Sequence, residues 1–248
     1  MKSYGGLAAV YDYLVAGVDF GHWIDYVESI MNHFGFSPKS VLDLACGTGN
    51  TLIPFAMKGY RAAGVDISPE MISVARNKAS DLALKIDYHV GDMTGFLLEN
   101  PVELATCFHD GLNYILEPDR LRKVFENTYN NLCPGGMFIF DLNALKWIGE
   151  VDRRPEVVDE EEITIIYKTD HDTGGALWTV NITCFIKEGD TYRKFSETHR
   201  ERGYGTREVE KMLEEAGFMF LAVYDAFTFD PPHKNSRRHF YVARRPWP

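Results

Sequence analysis

The sequence predicts an α/β fold: a doubly wound, mostly parallel seven-stranded sheet with an antiparallel β insert. Short apolar runs alternate with helical patterns from about residue 40 to residue 141, which is typical of parallel sheets with right-handed crossovers. A glycine turn, Gly47-Thr48-Gly49, follows the first apolar run, at the point where such sheets bind ligands. After about residue 145 the alternation gives way to consecutive strands joined by short turns, which indicates the insert.

Helical spacing dominates the N-terminal region. Aromatic and aliphatic residues recur at that spacing from Leu7 to Phe34, in two pieces separated by residues 17–21. A strong helix start lies at Ser68-Pro69-Glu70, where a hydroxyl N-cap precedes proline at the first helical position, and this helix is expected to end near Ala79. The other elements predicted up to residue 141 are strands at 40–44, 62–67, 84–90, 102–108 and 137–141, helices at 51–58 and 118–131, and a turn at 134–136.

The C-terminal part combines the insert with the end of the core. Residues 150–162 are acidic and are predicted to form a loop. The strands of the predicted antiparallel meander lie at 163–168, 177–187 and 191–204, with turns at 173–175 and 188–190. The core then resumes with a helix at 206–216 and strands at 218–227 and 238–243.

Composition places the chain among ordinary globular proteins. Of its 248 residues, 45% are hydrophobic and 25% are charged, and the formal net charge is -10. This acidic balance argues against nucleic acid or a membrane surface as a partner, because both carry negative charge. Four scattered cysteines without a C-x-x-C pair argue against a disulfide framework or a zinc site. The N-terminus lacks an apolar signal core, so a cytoplasmic location is predicted.

The segment from Val41 to Asn50 is the main candidate for a binding site. Gly47 and Gly49 let the backbone approach a ligand closely. Leu52 occupies the position of the third glycine of a dinucleotide fingerprint, and the carboxylate of Asp43 would repel a diphosphate. The segment therefore favours a ligand with an ammonium group over a pyrophosphate.

Two further acids follow strand ends. Asp66 ends the second strand, where a carboxylate can accept both hydroxyls of a ribose. Asp92 follows the third strand, where it could accept a hydrogen bond from an adenine amine beside the apolar side chain of Met93. Ribose, adenine and a cationic amino-acid tail together describe S-adenosylmethionine.

Four motifs in order carry a resemblance to a known family. Asp43–Gly49 resembles the first motif of the class I S-adenosylmethionine-dependent methyltransferases, and Gly64–Met71 resembles their ribose-binding motif. Gly91–Met93 and Leu132–Gly136 are similar to later motifs of the family. The resemblance covers roughly residues 37–145.

The resemblance implies a cofactor, a domain organisation and a set of cofactor-binding residues. The N-terminal Tyr11–Leu14 and the insert resemble a subgroup that includes small-molecule N-methyltransferases. The expected organisation is a helical lid at 1–36, a cofactor-binding core at 37–145, an insert on the acceptor side at 146–205 and the rest of the core at 206–248. The expected cofactor-binding residues are Tyr11, Asp43, Ala45, Cys46, Gly47, Gly49, Asp66, Ile67, Met71, Asp92, Met93 and Phe108.

Two histidines are candidate catalytic residues. His109 follows the fourth strand, which faces the transferred methyl group in this fold, although a structural role is equally open. In the last insert strand His199 shares a face with Glu197 and Glu201, because strand side chains alternate. That face is either an acceptor-binding surface, with His199 taking a proton near neutral pH, or a solvated outer face.

The function expected from these observations is methyl transfer from S-adenosylmethionine to nitrogen or oxygen of a small-molecule acceptor. S-adenosylhomocysteine is the product, and no metal is expected, because no ligand spacing is recognisable. The alternatives are a non-catalytic S-adenosylmethionine-binding module, a methyltransferase acting on protein or RNA, and an oxidoreductase or other nucleotide-binding enzyme on the same sheet. A monomer or a homodimer is expected.

Overall fold

The computed structural model describes residues 7–150, 153–172, 174 and 176–248, and it contains two β-sheets. The helices are α1 (Tyr11–Leu14), α2 (Phe20–His33), α3 (Leu52–Met57), α4 (Pro69–Asp81), α5 (Pro118–Asn131), α6 (Leu145–Glu150) and α7 (Thr206–Glu215), with 3-10 turns at Leu7–Ala9 and Gly111–Tyr114. The strands are β1 (Ser40–Leu44), β2 (Arg61–Asp66), β3 (Ile86–Val90), β4 (Val102–Cys107), β5 (Leu132–Asn143), β6 (Glu156–Asp159), β7 (Ile163–His171), β8 (Leu177–Glu188), β9 (Thr191–Arg202), β10 (Met219–Asp225) and β11 (Arg238–Arg244).

The larger sheet has seven strands in the order β10-β11-β5-β4-β1-β2-β3. Strands β1 to β5 are parallel, whereas β11 runs antiparallel to both β5 and β10. The chain builds outward from β1 in both directions, so the carboxyl ends of β1 and β4 lie at the switch point where ligands bind in such sheets. The predicted fold class is confirmed.

Strand β1 is buried along its whole length, because helices pack on both faces of this sheet. On one face α2 buries Trp23, Ile24, Val27 and Ile30, which recur at helical spacing. Each of these large side chains contributes about 1.5–3 kcal/mol by leaving water. Helix α2, which the sequence analysis assigned to the N-terminal lid, thus packs in the core of the larger sheet, whereas apolar residues between 7 and 14 pack with the smaller sheet.

The smaller sheet is antiparallel, with four strands in the order β6-β7-β8-β9. The acidic segment predicted as a loop contains β6, because Val157 and Val158 pair with Ile166 and Ile165 of β7. The predicted turn at 134–136 also differs, since β5 continues through it. Residues 173 and 175 of the predicted turn lie outside the described residues.

The helix start predicted at Ser68 is present. The Ser68 hydroxyl accepts a hydrogen bond from the backbone N–H of Met71 at 3.2 Å, and Pro69 is the first residue of α4. This cap fixes the first turn of α4 next to the end of β2. Within the described ranges, no helix is both long enough and apolar enough to cross a membrane.

Candidate active site

A cavity of about 400 Å³ opens at the carboxyl ends of the parallel strands. Its wall combines the loops after β1, β2, β3 and β4 with the N-terminal segment. Eleven of the residues predicted from the sequence lie on this wall, namely Tyr11, Ala45, Cys46, Gly47, Asp66, Ile67, Met71, Asp92, Met93, Phe108 and His109. Asp43, Gly49 and His199 are not part of the wall.

The glycine loop after β1 is tightly packed. Ala45 has a φ of 52° and Gly49 a φ of 81°, both in the left-handed region that favours glycine. A side chain at Gly49 would collide with the hydroxyl of Tyr88, which packs against the loop on the side away from the cavity. Glycine is therefore favoured at this position. Ala45 lines the cavity in a backbone conformation that costs about 1–3 kcal/mol, as is common at functional sites.

Asp66 joins the end of β2 to the glycine loop. One carboxylate oxygen accepts from the backbone N–H of Gly47 at 2.9 Å, and the other accepts from that of Ser68 at 2.8 Å. Burial raises the pKa of Asp66, although these backbone hydrogen bonds oppose the shift. A carboxylate has about four acceptor positions, so Asp66 can still accept from a ligand hydroxyl in the cavity.

Asp43 lies one layer behind the cavity wall. Its two oxygens accept hydrogen bonds from the hydroxyls of Thr51 and Thr106, both at 2.6 Å. Burial raises the pKa of Asp43 to about 6, and the carboxylate of Asp66 contributes in the same direction. In this arrangement Asp43 supports the glycine loop from below.

Asp92 has a partner that the sequence did not indicate. One oxygen accepts from the backbone and hydroxyl of Thr94, and the other is 2.9 Å from the guanidinium of Arg120, in the first turn of α5. Burial acts to raise the pKa of Asp92, but the hydrogen bonds and Arg120 lower it below its ordinary value. Arg120 also lies on the cavity wall.

The N-terminal segment is attached to the glycine loop through Asp12. This carboxylate accepts from the hydroxyl of Thr48 at 2.6 Å, the amide of Asn50 at 2.8 Å and the ammonium of Lys78 at 2.7 Å. Burial opposes ionisation, but these hydrogen bonds lower the pKa of Asp12. Tyr11 is thereby held on the cavity wall.

His109 lies on the wall just after β4. It has a φ of 57° and its ring packs 4.7 Å from the ring of Trp23 and 5.0 Å from that of Phe20. Its Nε2 has no hydrogen-bond partner among the residues that the structure describes. Burial lowers the pKa of His109 to about 4, so the imidazole is neutral at pH 7.

Charged side chains, including Asp110 and Arg238, lie near His109. The guanidinium of Arg238 is 2.8 Å from Asp110 and also binds Asp141, which is fully buried. Burial raises the pKa of Asp141 to about 6, and it also raises that of Glu201, which accepts from the Asn143 amide at 3.1 Å. The guanidinium of Arg238 is thus paired with two carboxyl groups, those of Asp110 and Asp141, whereas burial favours the neutral form of Glu201.

The last insert strand turns its histidine inward. His199 is 3% exposed and Glu201 is 6% exposed, so the interpretation of this face as a solvated outer surface is wrong. Strand β9 packs against the Gly111–Tyr114 turn, which follows β4 in the chain. His199 does not line the cavity itself, but its Nδ1 is 3.1 Å from the hydroxyl of Tyr114, which does.

Comparison with known proteins agrees with this geometry. A family profile described as a methyltransferase domain matches residues 41–136. The methyltransferase YqeM of Bacillus subtilis (strain 168) is 31% identical over 98% of this chain and 97% of its own length. A crystal structure of an S-adenosylmethionine-dependent methyltransferase from Clostridium acetobutylicum ATCC 824 has a TM-score of 0.88 and 30% identity, covering 99% of this chain and 100% of that chain.

The chain belongs to the S-adenosylmethionine-dependent methyltransferases. A shorter similarity extends to the dTDP-4-amino-2,3,4,6-tetradeoxy-D-glucose N,N-dimethyltransferase of Saccharopolyspora spinosa, which is 32% identical over 42% of this chain and 40% of its own length. The protein is therefore an enzyme that uses S-adenosylmethionine. Among the described side chains, no group of three or more His, Cys, Asp or Glu residues is arranged to hold a metal ion.

The residues of the methyltransferase cavity suit this cofactor chemically. The closely packed glycine loop leaves backbone exposed, and Asp66 and Asp92 retain acceptor positions toward hydroxyl and amine groups. Ile67 and Met93 also line the cavity and add apolar side chains to its wall. Two further wall residues, Phe20 and Arg120, were not predicted from the sequence, because each reaches the cavity from a separate helix. Asn50 belongs to the predicted segment Val41–Asn50, and Tyr114 follows β4 in the same loop as His109.

Proposed function

We propose that the enzyme methylates an amine nitrogen of a small molecule, with an amino sugar as the acceptor class. The observation that carries this proposal is the cavity of about 400 Å³ beneath the N-terminal segment. That volume lies in the range of small-molecule sites. The formal net charge of -10 disfavours RNA.

Within this proposal, the cofactor is held by the residues already predicted from the sequence. Asp66 accepts from the ribose hydroxyls, and Asp92 accepts from the adenine amine while Arg120 keeps it ionised. Gly47 and Ala45 bring backbone close to the amino-acid part. S-adenosylmethionine supplies a methyl group on a sulfonium, an electrophile that an amine can attack directly.

The preference for an amine follows from charge. The carboxylates of Asp110 and Asp141 lie behind the wall near His109, and the single guanidinium of Arg238 opposes both. Such a region attracts an ammonium group more strongly than a neutral hydroxyl. The name of the Saccharopolyspora spinosa relative, an amino-sugar N,N-dimethyltransferase, supports the same acceptor class.

The protein contributes position and exclusion of water in this proposal. Holding the acceptor in line with the reacting carbon can supply an effective concentration of roughly 10⁵ M or more. The N-terminal segment covers the cavity through Tyr11 and the Asp12 hydrogen bonds, and Phe20 adds an apolar wall. These residues protect the sulfonium from water during transfer.

Purified enzyme incubated with S-adenosylmethionine and each of three acceptors tests this proposal. The acceptors are dTDP-4-amino-2,3,4,6-tetradeoxy-D-glucose, its 4-hydroxy analogue and bulk tRNA, with products detected by mass spectrometry. We expect methylation of the amino sugar alone. Asp110→Asn is expected to lower kcat/KM for the amine by about tenfold, as the loss of one charge interaction predicts, whereas the exposed Asp119→Asn leaves it unchanged.

Methylation of tRNA or of the hydroxyl analogue without the amine would overturn the proposed acceptor. A thermal-shift screen with S-adenosylhomocysteine is run in parallel, because it reports cofactor binding whether or not the chosen amine is the true acceptor. Failure of binding would mean that the preparation is inactive, and the acceptor assay is then repeated on protein that binds.

A further inference from the structure

The Gly111–Tyr114 turn contacts both the glycine loop and the insert. Gly111, Tyr114 and the following Ile115 line the cavity. The turn starts close to the glycine loop, since a Cβ at Gly111 would lie 3.0 Å from the Cβ of Ala45. The turn also packs against β5 and against β9 of the insert. A shift of this turn would therefore change the shape of the cavity next to the glycine loop.

Asn113 belongs to this turn but does not line the cavity, and its side chain is fully buried. Its Nδ2 donates to the backbone carbonyl of Arg202, at the end of β9, at 2.8 Å. Its Oδ1 accepts from the backbone N–H of Asn143, at the end of β5, at 3.0 Å. One amide group thus joins the turn to the larger sheet and to the insert.

The orientation of this amide is fixed by its two partners. The carbonyl of Arg202 accepts a hydrogen bond and the N–H of Asn143 donates one, so a reversed Asn113 amide would place like groups against each other. An ionised aspartate offers acceptors but no donor, and an aliphatic side chain offers neither. Asparagine therefore suits this position through both of its polar atoms.

Two further hydrogen bonds connect the insert to the chain just after the turn. The hydroxyl of Tyr204 donates to the carbonyl of Ile115. The guanidinium of Arg202 donates to the carbonyl of Leu116 at 3.3 Å. Both bonds end on the C-terminal side of Asn113. Within the described residues, the Asn113 amide is the side-chain group of the turn that bonds to both strands.

We propose that Asn113 is a positioning residue for methyl transfer, because its amide holds the Gly111–Tyr114 turn in place beside the glycine loop. Methyl transfer requires the acceptor atom, the carbon and the sulfur in line, and a misplacement of about 1 Å can cost roughly 10²-fold in rate. Asn113 acts through the wall residues Gly111 and Tyr114. The inference goes beyond the proposed function, since it holds for an acceptor of any class that enters this cavity.

Amide hydrogen exchange of the full chain, followed by NMR, tests the hydrogen bonds without an acceptor. The N–H of Asn143 is protected by Oδ1 of Asn113 in the unaltered enzyme. We expect this N–H to exchange about tenfold faster or more in Asn113→Ala and at the unaltered rate in Asn113→Asp, which keeps an acceptor oxygen. The amides of β1 should exchange equally in all three proteins. An unchanged rate at Asn143 in Asn113→Ala would overturn the proposal.

The pH dependence of Asn113→Asp tests the donor to Arg202. Burial raises the pKa of a carboxyl group, so the introduced group keeps its proton to higher pH than an exposed carboxyl does. In the protonated form it can donate to the carbonyl of Arg202 as the amide does, whereas the ionised form repels that carbonyl. The charged side chains nearby are Arg202 and Glu201 of β9 and Asp110 before the turn, and the variant retains all three.

Kinetics with S-adenosylmethionine and dTDP-4-amino-2,3,4,6-tetradeoxy-D-glucose are compared with the unaltered enzyme at each pH, so that the titration of the acceptor cancels. We expect kcat of Asn113→Ala to be about 10²-fold lower throughout. That of Asn113→Asp should fall from near the unaltered value at about pH 6 toward that of Asn113→Ala at about pH 9. Affinity for S-adenosylhomocysteine should stay unchanged. The controls Asn100→Ala and Asn100→Asp, at an exposed asparagine before β4, should match the unaltered enzyme.

The measurements separate the failures. Full activity of Asn113→Ala, or a loss in Asn113→Asp that is equal at every pH, would overturn the positioning role. Weaker binding of S-adenosylhomocysteine in step with kcat would also overturn it, since the whole fold would then be affected. If Asn113→Ala does not fold, the pH course of Asn113→Asp decides. If the unaltered enzyme binds S-adenosylhomocysteine but methylates no amine, the proposed function fails, and the exchange rate at Asn143 then decides whether Asn113 holds the turn.

Discussion

Asp66 does two things at once, because the same carboxylate holds the glycine loop and faces the cavity. We expect Asp66→Ala to weaken S-adenosylhomocysteine binding by about 10- to 100-fold, the equivalent of one or more charge-assisted hydrogen bonds. Isothermal titration calorimetry measures this change. Asp87→Ala, an exposed acid on the neighbouring strand β3, is the matched control. Unchanged affinity in Asp66→Ala would remove this residue from the cofactor site.

Asp43 gives the protein a specific pH dependence of stability. Its pKa rises from the ordinary 3.8 to about 6 on folding, so the unfolded chain binds fewer protons than the folded one between these values. The stability contributed by Asp43 is therefore complete below about pH 4 and is lost as the pH rises through about 6. Two pKa units correspond to about 3 kcal/mol.

Asp43→Asn removes this dependence while preserving shape. Its amide can accept from one of the two threonine hydroxyls and donate to the other. We expect the free energy of unfolding of the variant, relative to the unaltered protein, to increase between pH 4 and pH 7.5 in urea titrations. Asp81→Asn, at the exposed end of α4, is the control. Parallel pH curves for Asp43→Asn and the unaltered protein would contradict the assigned pKa shift.

At the scale of elements, the first segment depends on one side chain for its attachment to the glycine loop. Asp12 accepts from Thr48, Asn50 and Lys78, and its side chain is 41% exposed, so solvent weakens the ion pair. We expect Asp12→Ala to speed S-adenosylhomocysteine dissociation by about 3- to 10-fold, because the segment opens more readily. Stopped-flow displacement measures the rate.

The control for Asp12→Ala is Asp25→Ala, which removes an exposed ion pair with Lys58 at 3.0 Å, away from the cavity. Its dissociation rate should equal that of the unaltered enzyme. A rate unchanged in Asp12→Ala would show that the attachment of the segment does not limit cofactor release.

The sequence predicted best those elements whose conformation depends on interactions between residues close together in the chain. The β1 strand, the glycine loop and the Ser68 cap depend on neighbours a few residues away, and all three are present as predicted. Strand β6 was not predicted, because Val157 and Val158 are flanked by acidic residues and their pairing partners lie in β7. Patterns along a chain report local preferences, whereas the pairing of β6 is decided by tertiary contact.

Contacts between residues distant in the sequence also could not be predicted at the candidate active site. Arg120 and Asp92 are 28 positions apart, and Tyr114 and His199 are 85 positions apart, so no spacing in the sequence relates them. The sequence placed His199 and Glu201 on one face correctly, but it could not decide whether that face was solvated. The answer came from the packing of β9 over the turn after β4, which buries both side chains.

At the scale of the whole molecule, the N-terminal region connects the two sheets. Leu7 packs with Ile165 and Cys184 of the smaller sheet, and Asp12 binds the glycine loop of the larger one. Helix α2 has a different role, because its buried face completes the core of the larger sheet. We therefore propose that the boundary between the covering segment, residues 7–15, and the core falls between residues 15 and 20.

Two truncations test this boundary. Removing residues 1–15 takes away the covering segment while α2 stays in place, so we expect a folded protein with weaker S-adenosylhomocysteine binding and no methyl transfer. Removing residues 1–34 also deletes Trp23, Ile24 and Val27 from the core, which costs several times the roughly 2–5 kcal/mol of one large side chain and exceeds the stability of a typical domain. Circular dichroism and thermal melts should therefore show a cooperative transition for the first truncation and none for the second. A cooperatively folded protein lacking residues 1–34 would place α2 in the covering segment after all, and a fully active protein lacking residues 1–15 would mean that the cavity closes without it.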